Sequence, residues 1–242
     1  APQVIRTVED MGATLYHVYG LTETYGPHTI CALQPGWDEL PADERARLMS
    51  RQGVPYTVAG LGMRVVDERM RDVERDGETM GEVVMQGNNV MTGYYNDPDA
   101  TGEAFKGDWF HSGDLAVWHP DGYIELQDRA KDVIISGGEN ISSQQVEKII
   151  MEHPAVLEVC VVGVPDDKWG EVPKAFVVRR PDRNVDGDEI ISFTRDRIAH
   201  FKAPKYVEFG DLPKTATGKI QKYILRAKEW KGRDRAIHGS TV

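Results

Sequence analysis

The stretch Tyr19-Gly20-Leu21-Thr22-Glu23 joins an apolar, aromatic run to a short polar loop. The run begins at Ala13, has the composition of a strand, and stops at Gly20, where hydroxyl and carboxylate side chains follow. Open α/β sheets bind ligands where a strand ends in such a loop. The ring of Tyr19 could stack on a planar base, the Thr22 hydroxyl could donate to a phosphate oxygen, and Glu23 suits Mg²⁺. An ordinary turn would account for the same residues.

Outside this loop, the chain changes character near residue 128. Residues 35–52 predict a helix, and residues 54–122 alternate short β-prone runs with Gly and Asp turns, which predicts a small antiparallel sheet or barrel. Beyond residue 128, the pattern predicts a helix over 143–153, strands over 156–164 and 175–179, and a helix over 189–200. We therefore predict one domain over 1–128, a second over 129–230, and a polar tail over 231–242.

Composition and charge exclude several classes of protein. The 242 residues carry 29 basic and 39 acidic side chains, a net charge of −10, so no broad basic surface is available for nucleic acid. The longest apolar stretch, 156–164, is shorter than the roughly 20 residues that a transmembrane segment needs. Cys31 and Cys160 lie outside zinc or redox spacings, which predicts reduced thiols and a cytoplasmic location. The start Ala1-Pro2-Gln3 lacks an initiator Met and a signal peptide, so we expect a chain cut from a longer one.

Two further strings place charged side chains beside turns. Asp114 follows Ser112-Gly113, where its carboxylate could accept hydrogen bonds from both hydroxyls of a ribose. A turn-forming Asp is the alternative. Asp128-Arg129-Ala130-Lys131-Asp132 packs four charges into five positions, which a buried element would not tolerate without pairing. This string predicts either a solvated linker or a hinge.

Two glycine-containing loops and one tryptophan complete the candidate set. The pair Gly137-Gly138 either lets the backbone approach a ligand closely or supplies positive φ in a turn. The loop of small residues over 213–220 carries Lys219, whose ammonium could neutralise charge on phosphate or carboxylate oxygens, although a surface lysine is the alternative. Its spacing is not that of a P-loop. Trp169 stands among charged residues, which indicates either a packing residue or the rim of a site.

Together, six strings resemble in order and spacing those of the adenylate-forming superfamily, which includes AMP-forming acyl-CoA synthetases, peptide-synthetase adenylation domains and luciferases. They are Tyr-Gly-Leu-Thr-Glu (19–23), Gly-Tyr-Tyr-Asn-Asp-Pro (93–98), Ser-Gly-Asp (112–114), Asp-Arg with Lys-Asp (128–132), Gly-Gly-Glu-Asn (137–140) and Pro-Lys-Thr-Ala-Thr-Gly-Lys (213–219). The resemblance, which runs from about Val18 to Arg226, implies a mixed α/β and α+β fold. The fold would comprise the end of the large AMP-binding domain with a β-barrel-like subdomain, and then the small mobile α+β domain.

The resemblance also implies roles for the candidate residues. In the nucleotide site for ATP and AMP, the adenine would stack on Tyr19 beside Gly20, the α-phosphate would meet Thr22, Mg²⁺ would bind Glu23, and the ribose hydroxyls would bind Asp114 with help from Arg129. The catalytic set would be Thr22, Glu23 and Lys219, with Lys219 acting when a carboxylate attacks ATP. Lys131 would be the hinge, and the pantetheine arm of CoA would be lined by Gly137, Gly138 and Trp169.

One family element is missing upstream. Family members carry a Ser/Thr/Gly-rich loop that grips the β- and γ-phosphates well before the Tyr-Gly-x-Thr-Glu string, and only eighteen residues precede Tyr19. The chain thus resembles the C-terminal portion of such an enzyme. We expect no adenylate formation by this chain alone, and detectable ATP–pyrophosphate exchange by the purified 242-residue chain would contradict that expectation.

The implied substrates are a small carboxylic acid, ATP and CoA. Segment 34–53 and the ending Lys219-Ile220-Gln221-Lys222 resemble ligases of short- to medium-chain or related acids, which implies a place in fatty acid metabolism. Nothing after Leu225 resembles a carrier domain, which favours transfer to free CoA over an adenylation domain that serves a carrier protein. A non-catalytic relative that keeps the fold for binding or regulation is the second alternative. The oligomeric state, including a homo-oligomer, is left open.

Overall fold

The computed structural model of the chain describes residues 2–55 and 62–233. The chain divides into two compact units, Ala1–Gln127 and Asp128–Val242. The predicted domain boundary, after residue 128, lies one residue from this division. Residues 234–242 of the predicted tail lie outside the described residues, as do residues 56–61 of the predicted sheet region.

The first unit begins with two helices and a three-stranded antiparallel sheet. The helices are α1 (Pro2–Asp10) and α2 (Ala42–Met49), and the sheet has the order β1 (His17–Leu21), β2 (Gly26–Cys31) and β3 (Val54–Pro55). Ile5, Cys31 and Met49 share one buried cluster that joins the helices to the sheet. Helix α1 was not predicted from the sequence. The predicted helix over 35–52 is shorter than expected because Pro41, which precedes α2, has an extended backbone.

A four-stranded sheet completes the first unit. Its order is β4 (Gly62–Val66), β5 (Met80–Gln86), β6 (Phe110–Trp118) and β7 (Ile124–Arg129), and β5 is antiparallel to both β4 and β6. The predicted antiparallel sheet is therefore present. Helix α3 (Pro98–Ala104) was not predicted, although Pro98 at its first position and the Asp97 cap on the Ala100 amide are standard start signals.

The second unit is an α+β domain built on one five-stranded sheet. Its strands are β8 (Ile134–Ser136), β9 (Glu139–Ile141), β10 (Val156–Asp166), β11 (Gly170–Arg179) and β12 (Tyr206–Phe209), and its helices are α4 (Ser143–Met151), α5 (Gly187–Arg195) and α6 (Lys222–Glu229). The sheet order is β10-β11-β8-β9, and β12 pairs in parallel with β11. The two predicted strands are longer than expected and form one hairpin, and the predicted helix over 189–200 ends at Arg195.

The β10–β11 hairpin carries apolar side chains on both faces. On one face, Val146 and Ile150 of α4 and Ile190 of α5 pack against Val161. On the other face, Leu225 of α6 belongs to a buried cluster with Cys160, Val162 and Leu212. A sheet buried on both faces explains why residues 159–164, which follow Glu158, are apolar without interruption.

Both cysteines are buried thiols outside any disulfide. Burial raises the pKa of Cys31 to about 11 and that of Cys160 to about 12, so both stay protonated at neutral pH. Within residues 2–55 and 62–233, no helix has the length and apolar character needed to cross a membrane.

Candidate functional site

Strand β1 delivers Thr22 and Glu23 into a tight turn. The turn is one 3-10 helical turn over Thr22–Thr24, and Tyr25 closes it with a left-handed φ of 52°. The Thr24 hydroxyl holds the turn together, because its oxygen accepts a hydrogen bond from the Leu21 amide (2.9 Å) and lies 2.7 Å from the Gly26 carbonyl oxygen. The Thr22 side chain is exposed and Glu23 is half-buried. Both predicted ligand groups therefore share one fixed turn.

Gly20 is required by the close approach of β1 and β2. The strand register shifts between Tyr19 and Gly20. A Cβ at Gly20 would lie 2.0 Å from the carbonyl oxygen of Gly26, far inside a van der Waals contact with backbone that cannot rotate away. This steric limit accounts for the glycine that follows Tyr19.

The Tyr19 hydroxyl joins β1 to β6. It donates a hydrogen bond to Oδ2 of Asp114 (2.8 Å), and the two residues are 8 % and 7 % exposed. Gly113, with φ of 69°, bends the chain before Asp114. Two residues that lie 95 positions apart, and that the family resemblance assigns to adenine and ribose, are thus in direct contact. Because most of the Tyr19 ring is buried, stacking on adenine stays a prediction.

Replacing Tyr19 by Phe tests this contact. The substitution removes a buried donor to a carboxylate, and we expect a loss of about 1.5–3 kcal/mol in the free energy of unfolding. Chemical denaturation of the 242-residue chain measures it. Tyr16, which is 58 % exposed, supplies the matched control Tyr16→Phe. Equal stability of the two variants would show that the Tyr19 hydroxyl contributes nothing measurable.

Tyr94 holds the Glu23 carboxylate. Its hydroxyl donates to Oε1 of Glu23 (3.0 Å), and burial, followed by this hydrogen bond and the Glu23 charge, raises the pKa of Tyr94. The backbone of the turn is held from the same side, since the Met91 amide donates to the Glu23 carbonyl (2.7 Å) and the Asn89 side chain donates to the Thr24 carbonyl (2.9 Å). Sequence reasoning did not assign a role to Tyr94, although the string over 93–98 had singled out its position.

The surroundings of Glu23 fit Mg²⁺ in one specific way. Among residues 2–55 and 62–233, no group of three His, Cys, Asp or Glu side chains could hold a metal ion. Mg²⁺ commonly binds one or two carboxylates together with substrate phosphates and water. A single carboxylate fixed by Tyr94 therefore fits an ion that arrives with a nucleotide, and does not fit a resident metal.

At the start of the second unit, the charged string over 128–132 is folded into the domain. Asp128 is buried, and its carboxylate accepts hydrogen bonds from the amides of Ser143 (2.5 Å) and Arg129 (2.8 Å). Asp132 forms an ion pair with Arg226 in which both side chains are mostly buried. The solvated-linker interpretation is therefore wrong for these two acids, because helix α4 and Arg226 satisfy their charges. The hinge role of Lys131 and the ribose role of Arg129 stay predictions.

The glycine pair and Trp169 lie together. Gly137 and Gly138 have φ of 61° and 91° in the β8–β9 turn, and the Gly137 amide donates to the carbonyl of Trp169 (2.8 Å). A Cβ at Gly137 would lie 2.7 Å from the Trp169 ring, which is 46 % exposed. Asp166 fixes the Trp169 turn by accepting its amide hydrogen bond (3.0 Å). Both glycines thus supply positive φ in a turn, and only Gly137 lies against the Trp169 ring. Close approach of this backbone to a ligand stays a prediction.

Lys219 lies in a loop that the backbone fixes at its base. Lys214 and Ile220 form an isolated β-bridge, the Thr215 amide donates to the Lys219 carbonyl (2.8 Å), and the Lys219 amide donates to the Thr215 hydroxyl (3.1 Å). Gly218 supplies a φ of 85° before Lys219, and the Lys219 side chain is exposed. The arrangement is a short hairpin-like turn that presents the Lys219 side chain to solvent, while the other lysine of the turn, Lys214, pairs with Glu158 (2.7 Å).

Comparisons with known proteins match both units. The AMP-binding enzyme family model matches residues 1–95, and the model of the AMP-binding enzyme C-terminal domain matches residues 145–219. A 4-hydroxybutyrate–CoA ligase of Metallosphaera sedula is 52% identical over 93% of this chain and 41% of that protein. An acetate–CoA ligase of Humulus lupulus is 55% identical over 94% of this chain and 41% of that protein. The chain thus spans about two fifths of the length of these relatives.

A solved structure agrees with the sequence matches. The o-succinylbenzoate CoA synthetase of Bacillus subtilis, in complex with an acyl-adenylate intermediate, superposes with a TM-score of 0.79 at 29% identity over 93% of this chain and 43% of that chain. The predicted α/β and α+β fold class is confirmed. The chain belongs to the adenylate-forming superfamily of AMP-binding enzymes, the family that its six strings resemble.

Proposed function

We propose that the protein is an AMP-forming acyl-CoA ligase that joins a short carboxylic acid to CoA through an acyl-adenylate. The observation that carries the proposal is the exposed Lys219 at a backbone-fixed turn, in a chain that also keeps the Tyr19–Asp114 contact and the Glu23 turn. A protein that keeps the fold only for binding or regulation need not keep Lys219, Glu23 and Asp114 together. The relatives at about 50% identity, which are CoA ligases, support the same proposal.

In the first half-reaction, a carboxylate oxygen attacks the α-phosphorus of ATP, and the bond to pyrophosphate breaks. Lys219 orients the carboxylate and offsets the charge that accumulates on the phosphate oxygens. The Thr22 hydroxyl donates to an α-phosphate oxygen, and Asp114 accepts from the ribose hydroxyls. Glu23 would hold Mg²⁺, which supplies charge neutralisation for the pyrophosphate when it is bound.

In the second half-reaction, the CoA thiol attacks the carbonyl carbon of the adenylate, the thioester bond forms, and AMP leaves. Gly137, Gly138 and the exposed edge of Trp169 line the pantetheine arm. The missing side chain of Gly137 leaves backbone next to the indole, and the space at Gly138 is open, which suits a narrow, uncharged arm.

The proposed substrates are acids of about two to four carbons. The named relatives are ligases of 4-hydroxybutyrate and acetate, and segment 34–53 resembles ligases of short- to medium-chain or related small acids. Longer fatty acids are the second choice for the acid, and transfer to a carrier protein instead of CoA is the second choice for the acceptor.

Acid-dependent ATP–pyrophosphate exchange tests the proposal. The full gene product is assayed with straight-chain acids of increasing length, and the 242-residue chain is assayed beside it. We expect exchange in the full gene product to be strongest with the shortest acids. Exchange that no acid stimulates would contradict the ligase and favour a non-catalytic relative.

Replacing Tyr94 by Phe tests the proposed metal ligand. Without the hydroxyl, the Glu23 carboxylate loses the partner that orients it, and we expect the Mg²⁺ concentration for half-maximal exchange to rise about 3- to 10-fold. Calorimetric titration of MgATP into the full gene product should show the same weakening. Tyr95→Phe is the matched control, because Tyr95 is a fully exposed neighbour. The same Mg²⁺ dependence in both variants would show that the Tyr94 hydroxyl does not position the metal ligand.

A further inference from the structure

Helix α6 begins three residues after Lys219, and its first residue is held by helix α4. The Lys222 ammonium forms an ion pair with Oε1 of Glu147 (2.8 Å) and donates to the hydroxyl of Ser143 (2.6 Å). The Gln221 amide donates to the carbonyl of Pro213 (2.8 Å), so the turn that carries Lys219 is closed directly onto this helix. Leu225 then packs into the core beside Ile220. The turn and α6 therefore form one continuous piece of structure.

One helical turn further along α6, Arg226 binds the first residues of the second unit. Its Nη1 donates to the Lys131 carbonyl (2.9 Å), and its Nη2 forms the ion pair with Asp132. A guanidinium that bridges a carbonyl and a carboxylate fixes direction as well as distance, which an ammonium cannot do equally well. Arg226 thereby fastens segment 131–132 to the helix that carries the Lys219 turn.

We propose that Arg226 is a positioning residue for adenylate formation, because it fixes the Lys219 turn, through α6, to the first residues of the second unit. The inference rests on the function proposed above. Lys219 acts only if its ammonium meets oxygens in a defined place, and a misplacement of about 1 Å can cost about 100-fold in rate. Arg226 touches no reacting group, so its contribution to catalysis is indirect.

The turn of the glycine pair, unlike the Lys219 turn, is held by contacts that do not involve α6. The Gly137 turn is held by the Trp169 carbonyl, and the Trp169 turn is held in turn by Asp166, which also pairs with Lys205. None of these contacts comes from α6. Loss of Arg226 should therefore disturb the half-reaction that uses Lys219 more than the half-reaction that uses the glycine pair.

The experiment compares Arg226→Gln with Lys228→Gln in the full gene product. Lys228 lies on the same helix, and its substitution removes an exposed ion pair with Glu208 (2.7 Å) and a cation–π contact with the Phe176 ring (5.7 Å to its centroid). For Arg226→Gln we expect kcat for adenylate formation to fall about tenfold, and thioester formation from a supplied acyl-adenylate to stay within about twofold. Amide hydrogen exchange should rise over 214–222 and 131–133, and not over 136–139. Lys228→Gln should change none of these.

Arg226→Lys keeps the charge beside Asp132 and should recover part of the lost rate, which keeps the test informative if Arg226→Gln does not fold. Equal loss of both half-reactions, or unchanged amide exchange over 214–222, would overturn the proposal. If the wild-type protein shows neither half-reaction, the proposed function fails and the role of Arg226 in adenylate formation fails with it, whereas amide exchange still shows whether Arg226 fixes the turn.

Discussion

Replacing Lys219 by Ala is expected to lower the rate of adenylate formation by about 100- to 1,000-fold in the full gene product. The turn carries two lysines, of which Lys214 pairs with Glu158 (2.7 Å), and in the proposed function the Lys219 charge would offset the negative charge that builds up as pyrophosphate leaves. Thioester formation from a supplied acyl-adenylate should fall less than about threefold, because the thiol attack needs no charge at Lys219. Single-turnover assays of the two half-reactions measure both rates.

The control for this substitution is Lys228→Ala, which removes an exposed lysine of α6 and should leave both rates unchanged. The Lys219 turn is fixed by backbone hydrogen bonds to Thr215, so Lys219→Ala should also keep the wild-type melting temperature. A similar loss in both half-reactions would assign Lys219 a structural role. No loss in either would refute its catalytic role.

Replacing Lys222 by Met is expected to lower the free energy of unfolding by about 3 kcal/mol at neutral pH. Lys222 and Glu147 form an ion pair in which each side chain is 20% exposed, and Glu147 also accepts a hydrogen bond from the Val161 amide (2.8 Å). Removing one partner of such a pair leaves the other charge inside the protein without compensation. Denaturant unfolding measures the loss.

The loss should shrink as the pH falls. Burial raises the pKa of Glu147 above its usual value, and Lys222 opposes that rise. A raised carboxyl pKa means that the folded state holds the proton more tightly, so stability falls as pH rises from the usual pKa of a glutamate through the folded value. Without Lys222, the pKa of Glu147 rises further, so the pH range over which stability falls extends to higher pH. The free energy of unfolding of Lys222→Met should therefore approach that of the wild type near pH 4. It should fall furthest below the wild-type value near neutral pH.

Two further variants isolate the ion pair. The double substitution Lys222→Met with Glu147→Gln also removes the Glu147 charge that Lys222→Met leaves without its ion-pair partner. It should recover at least half of the lost free energy of unfolding. Lys228→Met breaks an exposed ion pair with Glu208 and a long cation–π contact with Phe176, and should cost less than about 1 kcal/mol. A loss for Lys222→Met that is the same at pH 4 and pH 7 would rule out Glu147 as its cause.

The sequence predicted those elements whose apolar residues repeat regularly. The strands over 156–164 and 175–179 and the helix from Ser143 follow this rule. Helix α6 was not predicted, because Leu225 is the one buried residue among its mostly polar side chains. The position of the helix depends on Glu147 and Asp132, which lie far from it in the sequence. Local patterns carry no information about such partners.

The candidate site shows the same limit. Turn chemistry placed Glu23, the glycine pair and Lys219 on loops, and the family strings gave them roles. No spacing rule predicts that Tyr19 meets Asp114 across 95 positions, or that Trp169 covers Gly137. Those contacts depend on strand pairing and on two turns that pack together, which only the folded chain defines.

The central claim is that this family member activates a carboxylic acid and transfers it to CoA. The most direct measurement is the product balance of the full gene product with ATP, Mg²⁺, CoA and a panel of acids that includes acetate, butyrate and 4-hydroxybutyrate. The account predicts AMP and acyl-CoA in equal amounts with at least one of these acids, and no acyl-CoA when the acid is omitted. Absence of acyl-CoA with every acid, or release of ADP in place of AMP, would contradict it.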